Sequence, residues 1–138
     1  MRYLGLDLGS RTLGVAISDK TGLIASSLKV IRHEEEYDRL IDEVKNLVLE
    51  LEVDAIVLGF PKNMNNTIGP KGELSKEFKE KLEKMIDKPV YLQDERLTTK
   101  SATDMLITGN VRRSDRKKVV DAVAATIILQ SYLDKKGN

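Results

Sequence analysis

The sequence predicts a mixed α/β sheet flanked by helices, in which three antiparallel strands come first and two parallel strands follow. Two observations indicate this fold class. Near the start, three apolar runs follow one another with only short turns between them, as in a β-meander. Further along, two short apolar runs alternate with segments of helical periodicity, a pattern typical of buried parallel strands joined by helices.

The meander is predicted from its apolar runs and its turn residues. Residues 3–8 and 13–17 form the first two strands, joined by the turn Gly9-Ser10-Arg11-Thr12. A second turn, Asp19-Lys20-Thr21-Gly22, leads into a third strand over residues 23–31. Consecutive strands joined by such short turns are antiparallel neighbours.

The second half of the chain alternates between helices and strands. Three glutamates, Glu34 to Glu36, suit the positive end of a helix dipole and open a helix with an apolar stripe from Leu40 to Leu51. The elements predicted after it are a buried strand at 55–58, a polar loop at 59–72, a helix at 73–86, a strand at 90–93, a helix from Thr98 or Thr99 toward Ile107, and a last helix at 115–133.

Length and composition favour a cytoplasmic protein with one domain over residues 1–138. The chain has 138 residues, 41% of them hydrophobic, which suits one sizeable core. There is no cysteine, so disulfides and thiolate sites are excluded, and we see neither a secretory leader nor a membrane-spanning run. Because the formal net charge is only +1, a nucleic-acid site must be a local basic patch.

Three acids, Asp7, Glu95 and Asp121, stand where acids are out of place. Asp7 interrupts a buried strand, and Asp121 lies in a helix that is apolar nearly all round. Glu95 follows Asp94 at the end of the last predicted strand. Because neighbouring residues of a strand point to opposite faces, only one of the two can lie on the same face as Asp7. Together the acids suit Mg²⁺ or Mn²⁺, and two such ions support phosphodiester hydrolysis. The alternative is that each acid is structural, with hydrogen bonds or a neighbouring cation to compensate it.

Basic and polar residues elsewhere in the sequence predict a phosphate-binding surface near these acids. The segment 112–118 carries five basic residues and one acid, a local charge of 5 − 1 = +4 near a helix N-terminus that disfavours cations. The five are Arg112, Arg113, Arg116, Lys117 and Lys118. We also expect Arg11 in the first turn, and Lys62 and Asn63 in the polar loop, at the same edge of the sheet. The alternatives are a solvated loop for the basic segment and a plain surface connection for residues 59–72.

His33, the only histidine of the chain, lies between a predicted strand and a predicted helix. We expect an ordinary surface residue there and assign it no part in a mechanism.

Four blocks of the sequence resemble the YqgF family of bacterial proteins. They are LGLDLGSRTLGVAISD at 4–19, VLGFPKNMNNTIGPKG at 57–72, DERLTT at 94–99, and RKKVVDAVAATIILQSYLD at 116–134. Their order and spacing cover almost the whole chain. The resemblance implies a ribonuclease-H-like fold and a nuclease that resolves Holliday junctions or matures pre-16S rRNA. It also implies that Asp7, Glu95 and Asp121 bind metal, with Arg96 beside them.

Two other interpretations stay open at this point. Sugar kinases and actin-like ATPases also begin with Asp-x-Gly and a glycine-bounded turn, but their two lobes need more than 138 residues. The second of these interpretations is a non-catalytic nucleic-acid-binding or ribosome-assembly protein of the same fold. The sequence leaves open whether the partner is pre-rRNA or branched DNA, and we expect a monomer or a weak homodimer.

Overall fold

A computed structural model of the chain describes residues 1–9, 11–60, 69–94 and 113–137, and of positions 71, 113–122 and 137 it describes the backbone only. The strands are β1 (Tyr3–Leu8), β2 (Thr12–Ser18), β3 (Ala25–Arg32), β4 (Ala55–Phe60) and β5 (Val90–Asp94). The helices within these ranges are α1 (Tyr37–Glu50), α2 (Pro70–Met85) and α3 (Arg113–Gly137). The helix predicted from Thr98 or Thr99 toward Ile107 lies outside the described residues.

The five strands form one sheet in the order β3-β2-β1-β4-β5. β1 pairs antiparallel with β2, and β2 with β3, whereas β1 pairs parallel with β4, and β4 with β5. The predicted meander and the two predicted parallel strands are therefore confirmed.

Helices pack on both faces of the sheet because the strands alternate apolar side chains between them. Leu4 and Leu6 of β1 belong to the core shared with α1 and α2, and Tyr3 belongs to the core shared with α3. We call these two sides the α1/α2 face and the α3 face. In the part of the chain that the structure describes, no helix is long and apolar enough to cross a membrane.

Helix α3 lies unusually close to the centre of the sheet. A Cβ atom built on Gly5 would stand 2.7 Å from Cβ of Leu129 and 3.2 Å from the carbonyl oxygen of Ala125. At the edge of the sheet, the Gln130 side chain accepts from the Ala25 N–H at 2.8 Å and donates to the Leu23 carbonyl at 2.9 Å. The face of this helix that carries Ala125 therefore packs directly on the sheet.

Several element boundaries differ from the prediction: β4 extends two residues further, to Phe60, and α3 spans Arg113–Gly137 where 115–133 was predicted. Three other differences have local reasons. Helix α1 begins at Tyr37, after the three glutamates, because Glu35 has a left-handed φ of 68°. Helix α2 begins at Pro70, three residues before the predicted start, with the proline in its first turn, where a missing N–H costs nothing. Strand β3 begins at Ala25, because the Leu23 and Ile24 N–H groups bind the carboxylate of Asp19 instead.

The prediction that His33 is an ordinary surface residue is wrong. Its side chain is 4% exposed, and its ring lies 5.8 Å from the ring of Tyr37. Nε2 lies 3.0 Å from the carbonyl oxygen of Gly9, and Nδ1 accepts from the Glu35 N–H at 3.0 Å. The partner on the first turn is 24 residues away, so local sequence gave no sign of this burial.

Candidate active site

Asp7 lies near the carboxyl end of β1, in the middle strand of the sheet, and is half-buried. It shares the α3 face with Tyr3 and Gly5, because residues two apart along a strand point the same way. Its partner on β2 is Gly14, and the next position in the β1–β4 register places Gly59 on its other side. Glycine at both neighbouring positions means that neither adjacent strand places a side chain beside Asp7 on this face.

The carboxyl ends of the three parallel strands lie level at this edge of the sheet. Leu6 pairs with Leu58, and Phe60 pairs with Asp94, so β1, β4 and β5 end side by side. Ligand sites of α/β sheets are found at this kind of edge, where the chain leaves neighbouring strands in different directions. The predicted polar loop follows β4 here, but residues 61–68 lie outside the described residues.

Helix α3 runs antiparallel to β1 and brings position 121 toward Asp7. The Tyr132 ring lies 5.9 Å from the Tyr3 ring, and Ala125 and Leu129 lie over Gly5. Position 121 comes one helical turn before Ala125, and Asp7 comes two residues after Gly5. The backbone at position 121 is therefore level with Asp7, while the Asp121 side chain is outside what the structure describes.

Strand β5 decides which residue of the Asp94 and Glu95 pair remains a candidate. The Tyr91 ring stacks on Tyr132 of α3, with centroids 5.6 Å apart and planes 18° apart, so Tyr91 and Gln93 lie on the α3 face. Asp94 lies on the opposite face, level with Phe60, over whose ring the Lys76 ammonium of α2 stands at 5.9 Å. Asp94 thus points away from Asp7. Of the pair, Glu95 stays a candidate, and it lies outside the described residues.

The predicted basic residues fall partly within the described structure. Arg11 is exposed in the turn that follows β1. The backbone at positions 113 and 116–118 forms the first turns of α3, whose direction carries them to the edge where β1 ends. Lys62, Asn63, Arg96 and Arg112 lie outside the described residues.

The donor chemistry at this edge fits a hard divalent cation. Carboxylate oxygens are the ligands that Mg²⁺ and Mn²⁺ prefer, and Asp7 supplies one from a half-buried position flanked by glycines. Among the side chains that the structure describes, no group of three His, Cys, Asp or Glu could hold a metal ion. Two of the three predicted acids, Glu95 and Asp121, are not among those side chains.

Comparison with known sequences gives one family over nearly the whole chain. The family described as "RuvX: Holliday junction resolvase" matches residues 1–135. A protein of Geobacillus sp. strain WCH70 is 51% identical over 137 residues, 99% of each chain. A protein of Bacillus subtilis strain 168 is 52% identical over 135 residues, 97% of this chain and 98% of its own. Both carry the name "Putative pre-16S rRNA nuclease".

Comparison with solved structures identifies the fold. Thermus thermophilus RuvC in complex with a Holliday junction substrate matches with a TM-score of 0.62 at 17% identity, covering 100% of this chain and 97% of that one. Fowlpox virus resolvase in complex with Holliday junction DNA matches with a TM-score of 0.62 at 14% identity, over 100% of both chains. The predicted ribonuclease-H-like fold is confirmed.

Proposed function

The chain belongs to the RuvX family of Holliday junction resolvases, the family that the sequence resembles under the name YqgF, and from that premise we propose that it is a metal-dependent endonuclease acting on structured nucleic acid. The family and the names of its curated relatives make the chain a nuclease, a hydrolase of phosphodiester bonds. The metal requirement and the substrate are the parts that we propose.

The observation that carries the proposal is the position of Asp7. A half-buried carboxylate stands in the middle strand, at the carboxyl edge of the parallel strands, between Gly14 and the position of Gly59. Burial of an ionised carboxylate costs roughly several kcal/mol unless a cation or hydrogen-bond donors compensate it. A site that binds cations and phosphates makes use of such a carboxylate.

We propose that Asp7, Glu95 and Asp121 together hold Mg²⁺ or Mn²⁺. The level position of residue 121 beside Asp7 and the exclusion of Asp94 support this set. When bound, such an ion would stabilise the charge that develops on a phosphodiester undergoing hydrolysis and would activate the attacking water. The protein would contribute the three carboxylates, of which Asp7 belongs to β1 and Asp121 to α3, and they would determine where the scissile phosphate binds.

The basic residues would grip phosphates on either side of that position. We assign this part to Arg11 in the first turn and to Arg113, Arg116, Lys117 and Lys118 on the first turns of α3, which leads to the same edge. Lys62, Asn63, Arg96 and Arg112 complete the proposed set. Contacts to phosphates orient a nucleic acid without reading its sequence, so this surface suits a substrate recognised by shape.

Pre-16S rRNA and branched DNA are the two substrates that the comparisons suggest. The names of the curated relatives favour the former, and the family description favours the latter. We further propose that the protein acts in the cytoplasm as a monomer or weak homodimer.

The test is a cleavage assay on both substrates with the purified chain. Each substrate is incubated with Mg²⁺, with Mn²⁺ and with EDTA, and the same series is repeated with Asp7→Asn. We expect cleavage that needs an added ion and falls about 100-fold or more in the variant, because the amide keeps the shape of the carboxylate without its charge.

Asp19→Asn is the matched control, since it makes the same change in an exposed acid at the other end of the sheet. It should cleave like the wild type. Cleavage by Asp7→Asn at the wild-type rate, or full cleavage in EDTA, would exclude the proposed metal mechanism. Tight binding without cleavage of either substrate in any metal would favour the non-catalytic binding or ribosome-assembly protein.

A further inference from the structure

We propose that His33 is a positioning residue for the cleavage reaction, which holds the turn after β1 in the shape that Asp7 and Arg11 require. This inference rests on the proposed function. The first turn, Gly9–Thr12, joins the strand that carries Asp7 to the strand that pairs with it. His33 lies after β3 and belongs neither to that hairpin nor to the predicted set of acids.

His33 binds two carbonyl groups of the first turn at once. Its ring Nε2 lies 3.0 Å from the carbonyl oxygen of Gly9, and its backbone N–H donates to the carbonyl of Arg11 at 2.9 Å. Within the turn, the Gly9 N–H donates to the carbonyl of Thr12 at 2.8 Å. The turn is therefore fixed from inside by its own hydrogen bond and from outside by His33.

The hydrogen-bond partners of the ring determine its tautomer. Nδ1 faces the Glu35 N–H at 3.0 Å, and because a donor faces it, Nδ1 must be the acceptor. The ring proton then resides on Nε2 and points to the Gly9 carbonyl, which is an acceptor. Both bonds exist together only in the neutral ring with its proton on Nε2, and a cationic ring would set two N–H groups against each other.

The ring is held in place by the helical layer beneath it. Its centroid lies 5.8 Å from the ring of Tyr37, which in turn packs edge-on against Phe78 of α2 at 6.3 Å. Burial, and secondly the charge of Glu35, raises the pKa of Tyr37, so this neighbour stays uncharged. Glu35 adopts a left-handed φ of 68°, an unfavourable conformation for a residue with a side chain, while its N–H binds His33.

These contacts connect the proposed site to α1 and α2. A shift of the first turn would move the end of β1, and Asp7 is two residues from Gly9. A misplacement of about 1 Å at a reacting group can cost about 100-fold in rate. His33 would therefore influence catalysis without touching the substrate.

Two substitutions separate the two side-chain hydrogen bonds. His33→Gln places an amide nitrogen near the position of Nε2 and keeps the donor to Gly9. His33→Asn places an amide oxygen near the position of Nδ1 and keeps the acceptor for Glu35, but it is too short to reach Gly9. We expect His33→Asn to lower kcat about 10- to 100-fold with KM changed less than about 3-fold, and His33→Gln to stay within about 5-fold of the wild type.

Asp19→Asn serves as the control for lost stability, with thermal melting followed by circular dichroism for all three variants. It should lower Tm without lowering kcat, because the turn it weakens lies at the other end of the sheet. Equal loss of kcat in His33→Gln and His33→Asn, or a wild-type kcat in His33→Asn, would overturn the proposal.

A spectroscopic readout tests the proposal without any cleavage. His33 is the only histidine, so nitrogen-15 labelling of histidine gives one ring spectrum with no assignment problem. We expect the ring proton on Nε2, and a Glu35 amide resonance that shifts in His33→Gln. A proton on Nδ1, or a cationic ring, would overturn the proposal even if cleavage is confirmed. The expected spectrum from a protein that cleaves neither substrate would instead show that the proposed function is at fault.

Discussion

The two turns of the meander lie at opposite ends of the sheet and are held in different ways. The first turn, after β1, is bound by His33, a buried side chain 24 residues away from Gly9. The second turn, between Ser18 and Ala25, is bound by Asp19, an exposed acid within the turn that accepts from the Leu23 and Ile24 N–H groups at 2.9 and 3.2 Å. The second turn also receives a hydrogen bond from Gln130 of α3 to the Leu23 carbonyl at 2.9 Å. It therefore combines a side-chain partner from its own sequence with a tertiary one, whereas the turn beside Asp7 is bound by His33 from outside the turn.

The largest expected difference between the turns concerns their glycines and the free energy of unfolding. Gly22 in the second turn has a φ of 72°, and a Cβ there would stand 2.9 Å from the Met1 carbonyl oxygen. We expect Gly22→Ala to lose about 1–3 kcal/mol in urea unfolding. In the first turn, Gly9 lacks a left-handed φ and its Cβ would stand 3.2 Å from the Thr12 carbonyl oxygen, so Gly9→Ala should lose less than about 1 kcal/mol. A larger loss at Gly9 would reverse the comparison.

An intermediate difference concerns the exposed cation of each turn. Arg11 lies in the first turn and Lys20 in the second. We expect Arg11→Ala to weaken nucleic-acid binding about 3- to 10-fold and to flatten its dependence on salt, because one phosphate contact is lost. Lys20→Ala should leave both unchanged. Fluorescence anisotropy from about 50 to 200 mM salt measures the slopes, and equal effects of the two variants would mean that the substrate does not favour the Asp7 end.

The smallest expected difference is the pH dependence that Asp19 gives to the second turn. The Thr21 hydroxyl, followed by the Leu23 and Ile24 N–H groups, lowers the pKa of Asp19 from 3.8 to about 2. A carboxyl whose pKa is lower in the folded state stabilises the fold above its unfolded pKa and loses that effect as the pH falls toward its folded pKa. The Tm difference between wild type and Asp19→Asn should therefore be greatest at pH 5–6 and shrink between about pH 4 and pH 2. A difference that stays constant over this range would contradict the role given to Asp19.

The sheet could be predicted from the sequence because its signals are local. Alternating and continuous apolar runs predicted all five strands, and short turns predicted the antiparallel pairs. The family was recognisable from four blocks for the same reason. Boundaries were less accurate at Glu34–Glu36, where acids favour a helix start but the left-handed Glu35 delays it. Pro70 marks the start of α2, since proline favours the first turn of a helix.

Two features of the site depend on tertiary contacts and could not be predicted from the sequence. Sequence left open whether Asp94 or Glu95 faces Asp7, and the stack of Tyr91 on Tyr132 excluded Asp94 by fixing the phase of β5. The burial of His33 depends on the meeting of the first turn with Tyr37, which no local pattern encodes. The roles of Asp7, Glu95 and Asp121 as metal ligands stay predictions.

Because Leu129 packs directly against Gly5 at the centre of the sheet, helix α3 would tilt about this contact if the contact changed. Position 121 lies eight residues before Leu129, or about 12 Å along the helix axis at about 1.5 Å per residue. A side chain at position 5 would push helix α3 away from the sheet at this contact. A tilt of the helix by about 5° would displace position 121 by about 1 Å. The smallest residue in the middle strand therefore determines where the helix backbone lies two turns away, at position 121.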